Sequence, residues 1–301
     1  MLFARKRNGN GAVVAIVAVC LLAFGTIVQA APIDGLIGYW TFDEGSGTIA
    51  SDTSGAGPRN GTLNPNDPAL PPIANWTPDG KFGGAVAVDG SKGTGPAALP
   101  SVTAVSMANM LSAAQPRTIS AWIKPTSALP LVDHPINGNI GDWHLFGSTG
   151  RSWFNQRPGE WFGFSYTNQF DGALVVSVDG GLTQQDQSRK LYVGPWSDFL
   201  DDWHMLTVSH PGGTGTTKAY VDGVLVASMD QTLANPNSFG VSVYHSGMSF
   251  LLDDLQVYNR VLSDEEVYQL WIPEPSSLVL LMLGVLSLLS WPRRRQRRTG
   301  P

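Results

Sequence analysis

Residues 217–229 read TKAYVDGVLVASM, two short apolar runs joined by Asp222-Gly223. Asp-Gly accepts the positive φ angles that both centre positions of a type I′ turn require, and the twist of that turn matches the strands it joins. The stretch therefore predicts a β-hairpin. Just before it, 203–209 (WHMLTVS) predicts another strand, and 250–258 (FLLDDLQVY) a long final one. Further upstream, 117–124 (RTISAWIK) alternates, with Ile119, Ala121 and Ile123 on one face and Thr118, Ser120 and Trp122 on the other. Pro125 ends that run. Residues 36–42 (LIGYWTF), 84–89 (GAVAVD), 161–166 (WFGFSY) and 173–178 (ALVVSV) carry the same strand chemistry. Ser263 followed by Asp264-Glu265-Glu266 reads as a helix N-cap with an acidic first turn, leading into a helix over 267–271. No other stretch shows a long amphipathic helix, and the segment 126–160 reads as loop. Many short strands with Gly- and Pro-rich turns predict an all-β fold of two packed antiparallel sheets.

The two ends differ from this middle. Arg5, Lys6 and Arg7 precede an uncharged apolar run, 11–28, and Val28-Gln29-Ala30 offers a small-x-small cleavage site. That pattern predicts an export signal over 1–30. Cys20, the single cysteine, leaves with it, so the exported domain needs neither disulfide nor thiolate metal site. At the other end, Pro273-Glu274-Pro275 is followed by the apolar run 278–291 (LVLLMLGVLSLLSW) and then by Arg293, Arg294, Arg295, Arg297 and Arg298. As a helix, that run would be roughly 20–24 Å long, short against a hydrocarbon core of about 30 Å. The arginines hold the terminus in the cytoplasm and leave the rest outside.

Eight of the 19 Lys and Arg lie in these two ends, where Glu274 is the one acid. Residues 32–272 thus hold 11 basic against 23 acidic residues, a formal charge of −12. A nucleic-acid reader needs the opposite sign, so nucleic acid is excluded as a partner.

The tail closely resembles the PEP-CTERM sorting signal over 273–298, with Pro273, Glu274 and Pro275 matching its motif. The resemblance implies recognition by an exosortase, a membrane cysteine transpeptidase, and removal near the motif. It further implies a Gram-negative bacterium that makes exopolysaccharide. The expected route is export, an inner-membrane intermediate held by the C-terminal segment, and then the cell surface or the extracellular matrix.

The middle, 31–272, resembles the LamG-like jelly-roll family of the concanavalin A-like lectin/glucanase superfamily. Gly38-Tyr39-Trp40-Thr41-Phe42-Asp43-Glu44-Gly45 matches its first strand and turn, and Ile119-Ser120-Ala121-Trp122-Ile123-Lys124-Pro125 a central strand. Trp203-His204 with Tyr220-Val221-Asp222-Gly223 matches its Trp-His strand and hairpin, and Asp253-Asp254-Leu255-Gln256-Val257-Tyr258 its closing strand. The fold implied is an antiparallel two-sheet jelly roll, in which Trp40, Trp122 and Trp203 are framework.

Hydrolases of that superfamily resemble Glu-x-Asp-x-x-Glu, which this chain lacks. Retaining hydrolysis needs two carboxylates about 5–5.5 Å apart, and Asp253-Asp254 would point to opposite faces if extended. No His-x-x-x-His zinc spacing is present. No catalytic residue is therefore expected, and the chain reads as a binding or adhesion module rather than an enzyme. A hydrolase or lyase on the same fold, and a purely structural matrix protein, are the alternatives. The resemblance also implies a structural Ca²⁺ near the junction of first and last strands, for which Asp43, Glu44, Asp52 and Asp254 are the candidate ligands. For a polysaccharide or surface glycan, the candidate contacts are Trp143, Trp153, Phe154 and Trp161, rings interleaved with hydrogen-bonding side chains.

Overall fold

A computed structural model of the chain describes residues 33–64, 72–90, 102–106, 110–112, 115–127, 142–149, 161–167, 172–178, 190–233, 238–245 and 248–272. The export signal and the tail with Pro273, Glu274 and Pro275 lie outside the described residues.

Among the described residues, seventeen strands make two antiparallel sheets. Sheet A holds β1 (Leu36–Trp40), β4 (Ala74–Thr77), β5 (Ala85–Val88), β8 (Arg117–Pro125), β13 (His204–His210), β14 (Thr214–Val221), β15 (Val224–Thr232) and β17 (Phe250–Tyr258). Its order is β15-β14-β13-β8-β17-β5-β4, with β1 also on β17. Sheet B holds β2 (Ile49–Ala50), β3 (Gly61–Leu63), β6 (Val102–Ser106), β7 (Leu111–Ser112), β9 (Asp142–Thr149), β10 (Trp161–Thr167), β11 (Ala173–Val178), β12 (Lys190–Pro195) and β16 (Ser238–His245). Its order is β12-β11-β10-β9-β16-β6-β3-β2, with β7 also on β16.

The sheets face each other across a core that takes alternate residues from strands of both. Ile119, Ala121 and Ile123 enter it from β8, Leu206 and Val208 from β13, Phe162 and Phe164 from β10. This is the face expected of β8 from its alternation. Its other face is also dry. Trp122 joins Met205, Tyr220, Tyr258, Leu262 and Val267 in a second cluster on the outside of sheet A. Ser120 and Thr207 sit on the same side, both buried, and share a 2.7 Å hydroxyl hydrogen bond.

Helix α1 (Asp264–Trp271) roofs that cluster. Ser263 is its N-cap, and Glu266 closes a capping box by accepting from the Ser263 N–H. Arg260 grips Glu266 with two guanidinium hydrogen bonds of 2.6 and 2.8 Å. That grip, the first cause of the shift, pulls the Glu266 carboxyl down to about 2. Tyr220 and Lys218 of sheet A both donate to Asp264, at 2.7 and 2.8 Å. The expected hairpin is β14–β15, with Asp222 at φ 50° and Gly223 at φ 77° between the paired residues Val221 and Val224.

The segment expected to be loop, 126–160, is corrected in part: 142–149 is strand β9, paired to β10 and β16. Residues Ile33–Pro273 make one compact unit. Among the described residues, no helix is long and apolar enough to cross a membrane.

Candidate functional site

The face of sheet B turned away from the core carries the most distinctive row of the described residues, and that row is buried at its middle. Cross-strand pairing lines up Ser106 with Ser242, Ser242 with Gly147, Gly147 with Gly163, Gly163 with Ser177, and Ser177 with Lys190. Their neighbours Val105, Phe146, Phe162 and Val176 enter the core. Side chains alternate along a strand, so Ser106, Gly147, Gly163, Ser177 and Lys190 of this row lie on the face away from the core. At its middle the floor is bare backbone. A Cβ added to Gly147 would lie 2.6 Å from the Gly163 Cα, and one added to Gly163 would lie 2.5 Å from the Gly147 Cα. Neither strand can carry a side chain there without the other moving.

Two hydroxyls flank that floor. Ser165 and Ser177 are 0% and 4% exposed, and neither hydroxyl has a hydrogen-bond partner. Buried polar groups are normally paired, and one left unpaired costs about 1–3 kcal/mol. Val175, beside Ser165 on the same face, is also wholly buried, so the middle of the face is enclosed. At the rim, Tyr192 of edge strand β12 pairs with Val175 and is 46% exposed. Bare floor, unsatisfied hydroxyls and a rim ring suit a ligand that is flat on one side and rich in hydroxyl groups.

The aromatic residues expected to bind are distributed differently. Trp143 lies in β9, in register with Tyr166, whose ring is in the core. Trp161 opens β10 in register with Thr149, two residues before Gly163. Trp153 and Phe154 lie outside the described residues. Tyr192 was missed by sequence reasoning. Its one signal was a short alternation over Leu191-Tyr192-Val193, which does not reveal the face it joins. Trp40 and Trp122 are buried framework as expected, and Trp203 packs at the margin of the outer cluster.

Each of the candidate Ca²⁺ ligands accepts at least one protein donor, and the Asp43 charge also acts on Asp254. First and last strands do pair, through β1 and β17. Strand β17 leaves β5 after Leu252 and joins β1 from Leu255, across a bulge where Asp254 adopts φ 47°. Asp254 accepts the Tyr39 hydroxyl at 2.6 Å. Asp43 accepts the Gly84 N–H at 2.7 Å, and Glu44 the Ser51 N–H at 2.6 Å. Asp52 accepts the N–H groups of Tyr39, Ser54 and Arg59, tying a turn to β1. Partial burial opposes ionisation of Asp52, yet these donors hold its carboxyl below the usual range. A Ca²⁺ ion needs six to eight oxygens. Among the described residues no three His, Cys, Asp or Glu side chains converge as a metal site, while the second oxygen of Glu44 is buried without a partner.

Asp253, next in the chain, is wholly buried. Its two oxygens accept the Phe82 and Asp254 N–H groups at 2.9 and 2.8 Å. Burial first, and then the neighbouring Asp254 charge, push its carboxyl up to about 7. A raised carboxyl pKa can mark an acid catalyst, but this one is sealed from any substrate and fastens the 81–84 turn to β17.

A family model described as the concanavalin A-like lectin/glucanases superfamily matches residues 93–268, more than half of the chain. The chain belongs to the concanavalin A-like lectin/glucanase superfamily. No curated protein matches it. Among solved structures, this concanavalin A-like chain is similar to Trypanosoma rangeli sialidase, with a TM-score of 0.53 and 14% identity over 90% of this chain and 39% of that one. The binding domain of Paraclostridial Mosquitocidal Protein 1 gives 0.48 and 16%, covering 79% and 52%. Domain 4 of AbnA, a GH43 extracellular arabinanase from Geobacillus stearothermophilus in complex with arabinotriose, gives 0.48 and 20%, covering 79% and 98%. The chain spans 52% or less of the first solved structures it matches. At 14% identity the sialidase likeness is one of fold.

The superfamily thus has enzymes among its structural neighbours, and the question of catalysis falls to this chain's own residues. Sheet B's strands carry one carboxylate, Asp142. Two-carboxylate hydrolysis on this face would need a second within about 5–9.5 Å. None of the strands of this concanavalin A-like sheet provides it.

Proposed function

We propose that the chain is an exported binding module that takes an extracellular polysaccharide on the outer face of sheet B. The observation that supports this most is the pair of buried, unpartnered hydroxyls, Ser165 and Ser177, beside a floor of paired glycines. Both hydroxyls are enclosed, so a polyhydroxylated ligand supplies the missing partners only where the cover over them opens. The exposed ring of Tyr192 extends the same face at its edge. Trp161, in register next to that floor, is a further candidate contact.

The Pro273-Glu274-Pro275 tail extends the reading to location. The apolar run 278–291 holds the exported chain at the inner membrane until an exosortase-type enzyme cuts near the motif, and the body then reaches the cell surface or matrix. Intact-mass analysis of native surface-released protein is expected to show loss of residues 1–30 and of Arg293–Arg298. A released product that retains those arginines contradicts the sorting reading. For the ligand, a glycan array probed with the surface-released protein is expected to give retention on an extracellular polysaccharide with no release of reducing ends over time. Retention on none of the glycans, or steady release of sugar, contradicts the binding reading.

A further inference from the structure

Eight large apolar residues are exposed among the described residues, and five of them lie in two segments that come together at the Gly223 turn. Val224, Leu225 and Val226 follow the turn of the β14–β15 hairpin, while Tyr268 and Ile272 end helix α1. The two groups touch. A Cβ added to Gly223, in the hairpin turn, would lie 3.1 Å from the Tyr268 Cα and 3.1 Å from the Trp271 Cβ. Tyr268 and Trp271 pack ring to ring at 5.8 Å. Strand β15 is the edge of sheet A, so no neighbouring strand covers its start. A cluster of this kind is uncommon on a monomer unless something covers it.

The sequence says what is near. Ile272, itself in the patch, is followed by Pro273-Glu274-Pro275-Ser276-Ser277 and then by the apolar run 278–291. Six Cα steps separate Ile272 from Leu278, about 20 Å when extended. If 278–291 lies in a bilayer, the patch is confined to that distance from the lipid surface. Its make-up suits such a surface, because Tyr and Trp rings favour the membrane interface and aliphatic side chains gain by leaving water. Charge does not oppose it at the helix. Asp264 is paired with Lys218 and Glu266 with Arg260, which leaves Glu265 as the one acid of α1 without a cationic partner among the described residues.

We propose that the hairpin tip Val224–Val226 and the last turn of α1 form a foot that seats the body on the lipid surface before the tail is cut. The proposal rests on the reading of 278–291 as a membrane segment. The foot fixes which side of the body faces the membrane during processing, and it is left exposed to water after release.

The test uses the signal-cleaved chain, residues 31–301, in phosphatidylcholine vesicles; it has no native cysteine, and one new cysteine, Val224→Cys, carries an environment-sensitive fluorophore. Ile49→Cys, an exposed position on β2 of sheet B, is the matched control. The expected result is a blue-shifted emission at position 224 that brominated phosphatidylcholine quenches, with neither effect at position 49. If the chain floats with the vesicles but position 224 responds like position 49, the foot is overturned and the membrane segment stands. If position 224 is shielded from water yet not quenched, protein covers the patch and the lipid assignment is overturned. If the chain does not float with vesicles, the membrane segment fails and the foot fails with it.

Discussion

Asp253 is sealed under the 81–84 turn with two backbone N–H groups on its oxygens. Its carboxyl titrates near 7 in the folded protein, against 3.8 for an unperturbed one. Between those values the folded state holds a proton that the unfolded state has lost, so this group lowers stability as pH rises from about 4 to about 7. The slope is at most about 1.4 kcal/mol per pH unit for a single proton. His210 acts with the opposite sign, because burial lowers its pKa. The measurement is therefore a difference. Denaturant midpoints of wild type and Asp253→Asn, compared from about pH 5 to 8, are expected to show wild type losing ground as pH rises, and the difference flattening above pH 7. A pH-independent difference contradicts it. Little of this was legible in the sequence. Asp253-Asp254 reads as ordinary alternation along a strand, and the left-handed φ of Asp254 appears only once β17 exchanges β5 for β1. Tyr192, Ser165 and Ser177 were equally hidden, because the face a residue occupies depends on register, which alternation alone leaves two-fold ambiguous.

At the scale of elements, the legible parts are those whose local chemistry agrees with their place. The β14–β15 turn has the Asp-Gly pair its two positive φ angles demand, and β8 carries its core face in its own alternation. Helix α1 announces itself through Ser263 and Glu266. Removing that cap with Ser263→Ala is expected to lower stability by about 1 kcal/mol, read as a fall in the denaturant midpoint with no change in slope. A larger loss is expected for Arg260→Ala, which also breaks the paired grip on Glu266 and uncouples the roof from the outer cluster. If neither substitution moves the midpoint, α1 does not stabilise sheet A. Strand β9 was not legible. Asp142 and Gly147 are poor strand formers, and the segment is held as a strand by β10 and β16 on either side. Those partners are distant in sequence, and the glycine that weakens the local signal is the one that the close approach to Gly163 requires.

For the molecule as a whole, composition and turn chemistry led to the antiparallel sandwich, and the family match agrees with it. The ordering of dry layers went further than the sequence reading, since the sandwich has a second apolar layer between sheet A and α1. That layer leaves sheet A's outer face largely roofed; sheet B's outer face, enclosed at its middle and open at the Tyr192 rim, carries the glycine floor and the unpaired hydroxyls. The central claim is that this second face holds a polyhydroxylated ligand. It is tested most directly by affinity electrophoresis of the surface-released protein in gels containing the polysaccharide that retains it, run in parallel with thermal melts, for wild type, Tyr192→Ala and the pair Ser165→Ala with Ser177→Ala. Since the two hydroxyls bond to nothing in the protein, their removal is expected to leave the melting temperature unchanged or slightly raised. Retention is expected to weaken, by about fivefold for Tyr192→Ala if its ring contributes about 1 kcal/mol, and further for the double serine variant. Unchanged retention in both variants, with melting temperatures intact, would contradict the claim.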